Sequence, residues 1–254
     1  MRIAIVSDLH ANRLATDAVF QHIDAQGDIS RIICLGDAIG YGPNPVDVLS
    51  IVMARCEFCL LGNHEEAILR GAVNFNPKAK MAIEWTGGQL TANPADTAEN
   101  NAARKQYLEA MPEFISEGKN LYVHGSPRQY TREYVMPRDA FDRKKMNDIY
   151  AKMGDHRLCF DGHTHQPGVF SYEGYFHPSE MYNAYFFGEN EKLVINVGSV
   201  GQPRDGDARA CYVTLTDDCI VWHRVAYNVE EVRKQIYAVP ELDNYLGDRL
   251  VEGR

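Results

Sequence analysis

Seven side chains able to ligate a metal stand in five short stretches of this sequence: Asp8 and His10 in "SDLH", Asp37 in "GDAIG", Asn63 in "GNHE", His124 in "VHG", and His163 and His165 in "GHTH". His64, directly after Asn63, adds a titratable imidazole. Carboxylates, imidazoles and an amide oxygen, with no thiolate among them, suit divalent ions of intermediate hardness such as manganese, iron or zinc better than calcium. A pair of such ions roughly 3.5–4 Å apart can clamp a phosphoryl oxygen, hold a bridging hydroxide as nucleophile and stabilise an in-line displacement. That chemistry is phosphoester hydrolysis. Each residue taken alone has a blander explanation: Asp8 and Asn63 as helix caps, Asp37 as a turn former, a histidine as a hydrogen-bonded core group. Those explanations fit the set badly, because every stretch directly follows an apolar run.

The apolar runs are the elements that must position these groups. "RIAIVS" reads as a strand, "NRLATDAVFQHIDAQG" as an amphipathic helix closing on Gly27, "RIICLG" as a strand, "PVDVLSIVMARC" as a helix opened by Pro45, and "EFCLLG" as a strand. Such alternation predicts a largely parallel sheet with crossover helices, and ligands then gather at the carboxyl ends of the strands. Glycines at 36, 62, 125 and 162 stand beside the donor stretches and allow tight turns and close backbone approach. Residues 72 to 112 break the rhythm with two helical stretches, "PKAKMAIEWTGGQL" and "ADTAENNAARKQYLEAM", which predict a helical insertion or cap on one domain spanning 1–254. Selectivity is expected from this region with its Phe75, Trp85 and Tyr107, the alternative being that they pack its helices. After "NLYVHG" and a helix around "RDAFDRKKMNDIYAKMG", the chain turns strand-rich through "RLCFDG", "GVFSY", "AYFFG", "KLVINVG", "ACYVTLT" and "CIVWHRVAY", expected to form a second sheet.

With 254 residues, 45% of them hydrophobic and 24% charged, the chain has material for one substantial core. A formal charge of -9 with no long basic run argues against a nucleic-acid scaffold or an anionic-membrane binder. No apolar run approaches the roughly eighteen residues of a membrane span, and "MRIAIVSDLH" meets a charge before a signal-peptide core is complete, so a cytoplasmic protein is expected. The six cysteines, at 34, 56, 59, 159, 211 and 219, sit mostly in strand-like runs as buried free thiols do; "CEFC" has no second pair to complete a zinc site.

In order, "DLH", "GD", "GNHE", "VHG" and "GHTH" resemble the five motif blocks of the calcineurin-like metallophosphoesterase superfamily, and "NVGSVGQPRDGD" resembles its compact bacterial phosphodiesterase branch. The resemblance implies a four-layer α/β/β/α sandwich. It also implies that Asp8, His10 and His165 bind one ion, Asn63, His124 and His163 a second, and that Asp37 bridges them. The two histidines of "GHTH" would then serve different ions, which needs a bent loop and not one strand face. His64 is implied as the group that protonates the leaving alkoxide or stabilises charge on the phosphoryl group. Where protein phosphatases of the superfamily read GDxxDRG, this chain has "GDAIGYG", so an aspartate and a phosphate-binding arginine are replaced by Gly40 and Tyr41. The substrate expected is a small phosphodiester or phosphomonoester, nucleotide-like in one version, with Asn12 and Arg204 as candidate contacts. Protein phosphatase activity is the less favoured alternative, as is a non-enzymatic scaffold like the superfamily's retromer subunit.

Overall fold

The computed structural model describes residues 2–72 and 77–254. Strand β1 (Arg2–Val6) sends Ala4 and Val6 into one apolar cluster and Ile3 and Ile5 into another. It is therefore buried on both faces, which a nearly continuous apolar run requires. β2 (Ile29–Cys34) repeats the pattern, with Ile32 and Cys34 on one side and Ile33 on the other. β1 pairs in parallel with β2, and β2 with the short β3 (Phe58–Cys59). The crossovers are helices α1 (Arg13–Gln26), closed by Gly27 at φ 74°, and α2 (Pro45–Arg55), opened by its proline.

Three later strands complete this first sheet on the other flank of β1: β11 (Ala210–Leu215), β12 (Cys219–Val225) and β9 (Ala184–Phe186), all antiparallel additions in the order β3-β2-β1-β11-β12-β9. The second sheet contains β4 (Phe114–Glu117), β5 (Asn120–Val123), β6 (Leu158–Asp161), β10 (Leu193–Asn196), β7 (Gly168–Ser171) and β8 (Gly174–Phe176), in the order β4-β5-β6-β10-β7-β8. The expectation that the strand-rich second half forms a sheet of its own is thus corrected. "AYFFG", "ACYVTLT" and "CIVWHRVAY" join the first sheet, because alternation fixes which faces are buried but not which strand lies alongside.

Between the sheets lies a core that includes Ile5, Ile33, Tyr122, Phe160, Ile195, Val213 and Trp222. The Trp222 indole crosses it to donate to the Asn196 carbonyl at 3.0 Å. Helices α1 and α2 cover the outer face of the first sheet through Val19, Phe20, Val48 and Val52. Helix α6 (Arg143–Lys152) covers the second through Met146, Ile149 and Tyr150. The order of layers is α/β/β/α, as expected. Each such side chain, fully buried, contributes about 1.5–3 kcal/mol.

The helical insertion is present as α4 (Pro77–Thr91) and α5 (Ala98–Glu109). Two of its aromatic residues, Trp85 and Tyr107, serve packing. Trp85 lies against the C-terminal helices α7 (Val229–Tyr237) and α8 (Tyr245–Glu252), Tyr107 lies against the cluster beneath α2, and Phe75 falls outside the described residues. Helices α7 and α8, which bury Val232, Ile236, Leu246 and Leu250, were not anticipated, and neither was α3 (Asn63–Arg70). All six cysteines are free thiols, five of them buried, and no described helix is long and apolar enough to cross a membrane.

Candidate metal centre

The expected donors leave the carboxyl ends of β1, β2, β3, β5 and β6 and meet at one edge of the sandwich. Five of them, Asp8, His10, Asp37, His163 and His165, have left-handed backbone with φ between 46° and 61°. Such a conformation costs on the order of 1 kcal/mol or more per residue and persists only where the surroundings fix it. Here the Asp8 N–H donates to the Gly36 carbonyl and the His10 N–H to the Asp37 carbonyl, each at 3.0 Å. The left-handed turns take these donors off the strand direction and into one space.

Two groups of donors result. In the first, His10 Nε2 lies 3.1 Å from His165 Nε2, and Asp8 Oδ1 lies 3.1 Å from His165 Nε2 and 3.7 Å from His10 Nε2. In the second, His124 Nε2 lies 3.1 Å from Asn63 Oδ1, 3.2 Å from His163 Nδ1 and 3.4 Å from Asp37 Oδ2. Asp37 Oδ2 is also 3.8 Å from His10 Nε2, so this one oxygen adjoins both groups. The two histidines of "GHTH" are divided between them.

The outer nitrogen of each ring decides what the inner one offers. His10 Nδ1 meets the Ile39 carbonyl at 3.2 Å, His124 Nδ1 the Leu35 carbonyl at 3.1 Å, His163 Nε2 the Arg132 carbonyl at 3.2 Å and His165 Nδ1 the Gln202 carbonyl at 2.5 Å. A carbonyl only accepts, so each outer nitrogen carries a proton and a neutral ring turns a lone pair inward. Lone pairs facing one another at 3.1 Å repel unless a cation or proton lies between them. Asp8 Oδ1, wholly buried, accepts no hydrogen bond. The residues therefore fit divalent cations.

Electrostatics agree. Burial alone would raise Asp8 and Asp37, but the imidazoles beside them, His165 for the first and His124 for the second, more than offset it and hold both carboxyls below the usual range. Burial opposes a charge on His124, yet Asp37, Asp8 and Glu65 outweigh it and lift the ring to about 10. Burial and the His124 charge push His163 down to about 3. Among protein groups alone, a proton on His124 supplies positive charge that a bound cation would supply instead.

The supporting contacts are specific. Glu65, wholly buried, accepts from the N–H groups of Asp37 (2.9 Å), Gly62 (3.1 Å) and Ile39 (3.3 Å), and so fixes the loop that carries Asp37. Asp37 Oδ1 accepts from the His64 N–H at 2.9 Å, and Asp8 Oδ2 from the His163 N–H at 3.0 Å. A Cβ at Gly162 would lie 2.5 Å from Asp8 Oδ2, so only glycine fits there.

His64, second residue of α3, points its Nε2 to within 3.9 Å of Asp37 Oδ2, and burial pushes its pKa down to about 4. The Tyr41 ring meets it edge-on with centroids 4.3 Å apart. A Cβ at Gly40 would lie 2.1 Å from His64 Nδ1, so the imidazole occupies the room that a side chain at position 40 would need. Arg204 is half-buried, its guanidinium 6.0 Å over the Tyr41 ring. Asn12 departs from expectation. It is 1% exposed, its Oδ1 caps α1 by accepting from the Ala15 N–H at 3.1 Å, and its Nδ2 donates to the Gly201 carbonyl at 2.9 Å. Its amide is committed to the fold, which leaves it placed as a cap and loop clasp and not as a phosphate contact.

Glu65, Tyr41 and Tyr134, which stacks on His163 with centroids 3.9 Å apart, received no role from the sequence. Glu65 carried a partial signal, a glutamate three residues after Gly62, from whose N–H it accepts at 3.1 Å at the start of α3. Tyr134 carried none.

Over residues 1–218 the chain matches the calcineurin-like phosphoesterase superfamily domain. It is 34% identical to an uncharacterized protein of Methanocaldococcus jannaschii, covering 99% of this chain and 98% of that one. Its structure superposes on that of a metallophosphoesterase from Sphaerobacter thermophilus with a TM-score of 0.81 and 32% identity over the full length of both chains. A hypothetical protein of Pyrococcus horikoshii shares the fold at 15% identity, with a TM-score of 0.77 over 100% of this chain and 98% of the other. On a match of this extent, the chain belongs to the calcineurin-like phosphoesterase superfamily.

Proposed function

We propose that the protein holds two divalent ions, of manganese, iron or zinc, and hydrolyses a small phosphodiester or phosphomonoester. The observation that carries this is the pair of donor groups with inward lone pairs joined by one carboxylate oxygen, Asp37 Oδ2. Asp8, His10 and His165 would hold one ion, Asn63, His124 and His163 the other, and Asp37 would touch both. When bound, the ions supply positive charge for the phosphoryl oxygens and lower the pKa of a water molecule. The carbonyls of Ile39, Leu35, Arg132 and Gln202 hold each ring in the tautomer this needs. A scaffold protein would have no use for four rings so oriented, which supports the enzyme.

His64 faces the same space. With its pKa pushed down to about 4 by burial, it is neutral near pH 7 and is suited to bond a phosphoryl oxygen more than to hand a proton to the leaving group. Tyr41, edge-on to His64, and Tyr134, stacked on His163, set two rings against the site's histidines, which favours small esters over a phosphorylated protein loop.

The test is hydrolysis of nitrophenyl mono- and diesters by protein stripped with chelator and reloaded with each metal in turn. Activity should return with about two ions per chain. Full activity in the stripped protein, or none with any metal on either ester class, would overturn the proposal.

A further inference from the structure

Arg204 and Arg249 lie beside this site without acidic side chains as partners. No side-chain carboxylate approaches within 4.0 Å of either guanidinium among the described residues, although the chain has 35 acidic residues to 26 basic ones. The loop that carries Arg204, "PRDGD", contains two aspartates of its own, and both are turned elsewhere. Asp205 pairs with Arg224 and His177, and Asp207 pairs with Arg209. Arg204 instead reaches Gln202 Oε1 with one nitrogen, at 2.7 Å, and leaves its buried Nε unbonded.

Arg249 is brought to the same place by the C-terminal helix. The Gly206 N–H donates to the Gly253 carbonyl at 2.9 Å, which docks the end of α8 onto the Arg204 loop. One turn before that contact is Arg249, half-buried, whose Nε donates to the Arg254 carbonyl. Leu246 and Leu250, on either side of it, pack in the cluster that also holds Tyr41. Tyr41 in turn lies against His10 and His64 with centroids 4.8 and 4.3 Å away. The two arginines thus share a wall with the metal centre. Burial, with the Arg204 charge beside it, pushes the Arg249 guanidinium down to about 10, as expected of a cation drawn out of water next to another.

We infer that Arg204 and Arg249 form a second anion subsite next to the metal-held phosphoryl group, so that the preferred substrate carries two anionic groups, a phosphoester to be cleaved and a second phosphate that stays with the arginines. This rests on the proposed phosphoesterase activity and narrows its substrate class. Two like charges side by side repel, and a phosphate between them replaces that repulsion with charge-assisted hydrogen bonds that match the fork of a guanidinium. A simple monoester leaves the pair unsatisfied.

Calorimetric binding of propanediol bisphosphate and of propyl phosphate to the metal-loaded protein tests this, alongside their inhibition of nitrophenyl ester hydrolysis. The native chain should prefer the bisphosphate by tenfold or more. Arg249→Gln should shrink that preference roughly ten- to a hundredfold, the size of a lost charge-assisted contact, and Arg249→Lys should restore part of it. Arg204→Gln provides the same reading if Arg249→Gln fails to fold. A native chain with no preference, or an unchanged preference in a folded variant, overturns the subsite. Absence of ester hydrolysis would overturn the proposed activity instead, and the calorimetric ratio would still decide the arginine pair.

Discussion

Replacing Gly162 with alanine adds a single methyl group where the candidate metal centre has no room for it. The new Cβ would lie 2.1 Å from Ser7 Oγ and 2.5 Å from Asp8 Oδ2, where ordinary contact begins at 3.4 Å. Asp8 must therefore retreat by roughly 1 Å, since overlap of that depth is not tolerated. That movement breaks the bond from the His163 N–H, now 3.0 Å, and withdraws Oδ1 from its place 3.1 Å from His165 Nε2. Overpacking of a filled interior costs about 1–3 kcal/mol, and a charge-assisted hydrogen bond another 1.5–3 kcal/mol. At about 2–4 °C per kcal/mol for a chain of this size, the melting temperature should fall by roughly 5 to 20 °C. The group of Asp8, His10 and His165 loses a donor's position outright while the other is touched only through the His163 N–H, so metal content should drop from two ions toward one, with hydrolysis lost. Gly27→Ala is the control. Its φ of 74° imposes strain, but nothing lies within 4 Å of the new methyl, so it should cost about 1 kcal/mol and leave metal content alone. Calorimetric melting and elemental analysis of the two variants make the comparison. A Gly162→Ala protein with native metal content and a melting temperature within a degree of the parent would refute the packing argument.

Asp37→Ala, which removes the oxygen adjoining both donor groups, should lower occupancy of both ions and abolish hydrolysis; unchanged metal content by elemental analysis would contradict the bridging role. His64→Ala should keep both ions and slow turnover by roughly 10²- to 10⁴-fold on alkyl esters. Because the ring is neutral near pH 7, a similar loss is expected on nitrophenyl esters, and a defect confined to poor leaving groups would instead identify a proton donor. Metal binding should release protons at pH 8. His124, held at about 10 by Asp37, must shed its proton to ligate, so apparent affinity should rise with pH through the range between its ordinary value and about 10. Titration of metal into unbuffered protein with an indicator dye checks this, and absence of any released proton contradicts it.

The donor set was legible in the sequence because each member directly follows an apolar run, and the end of a strand is a position that local pattern can mark. What stayed hidden depends on distant contacts. The strands "ACYVTLT" and "KLVINVG" have the same alternation, yet one pairs with β1 and the other with β6, a choice made by the folded partners. Trp85 looked like a selectivity residue because aromatic groups line many ligand sites, and it proves to be what α4 offers α7 and α8. Asn12 reads in the sequence as a candidate substrate contact, and only the folded chain shows its side chain capping α1 and clasping Gly201. Arg249 gave no sign at all, since its relevance comes from the Gly206–Gly253 contact that seats the last helix beside the site.

With the proposed ions bound, the left-handed backbone at five of the donors would tie the protein's lifetime to its metal supply. Five such residues store on the order of 5 kcal/mol or more, a large part of the net stability of an ordinary domain. That strain must be offset in the folded chain, and cations that bind only the folded form do so by about 2.7 kcal/mol for each ion present at a hundred times its dissociation constant. A cell starved of the metal would therefore hold a protein that opens more often at this edge and is degraded sooner. Its abundance, as well as its activity, would follow the ion.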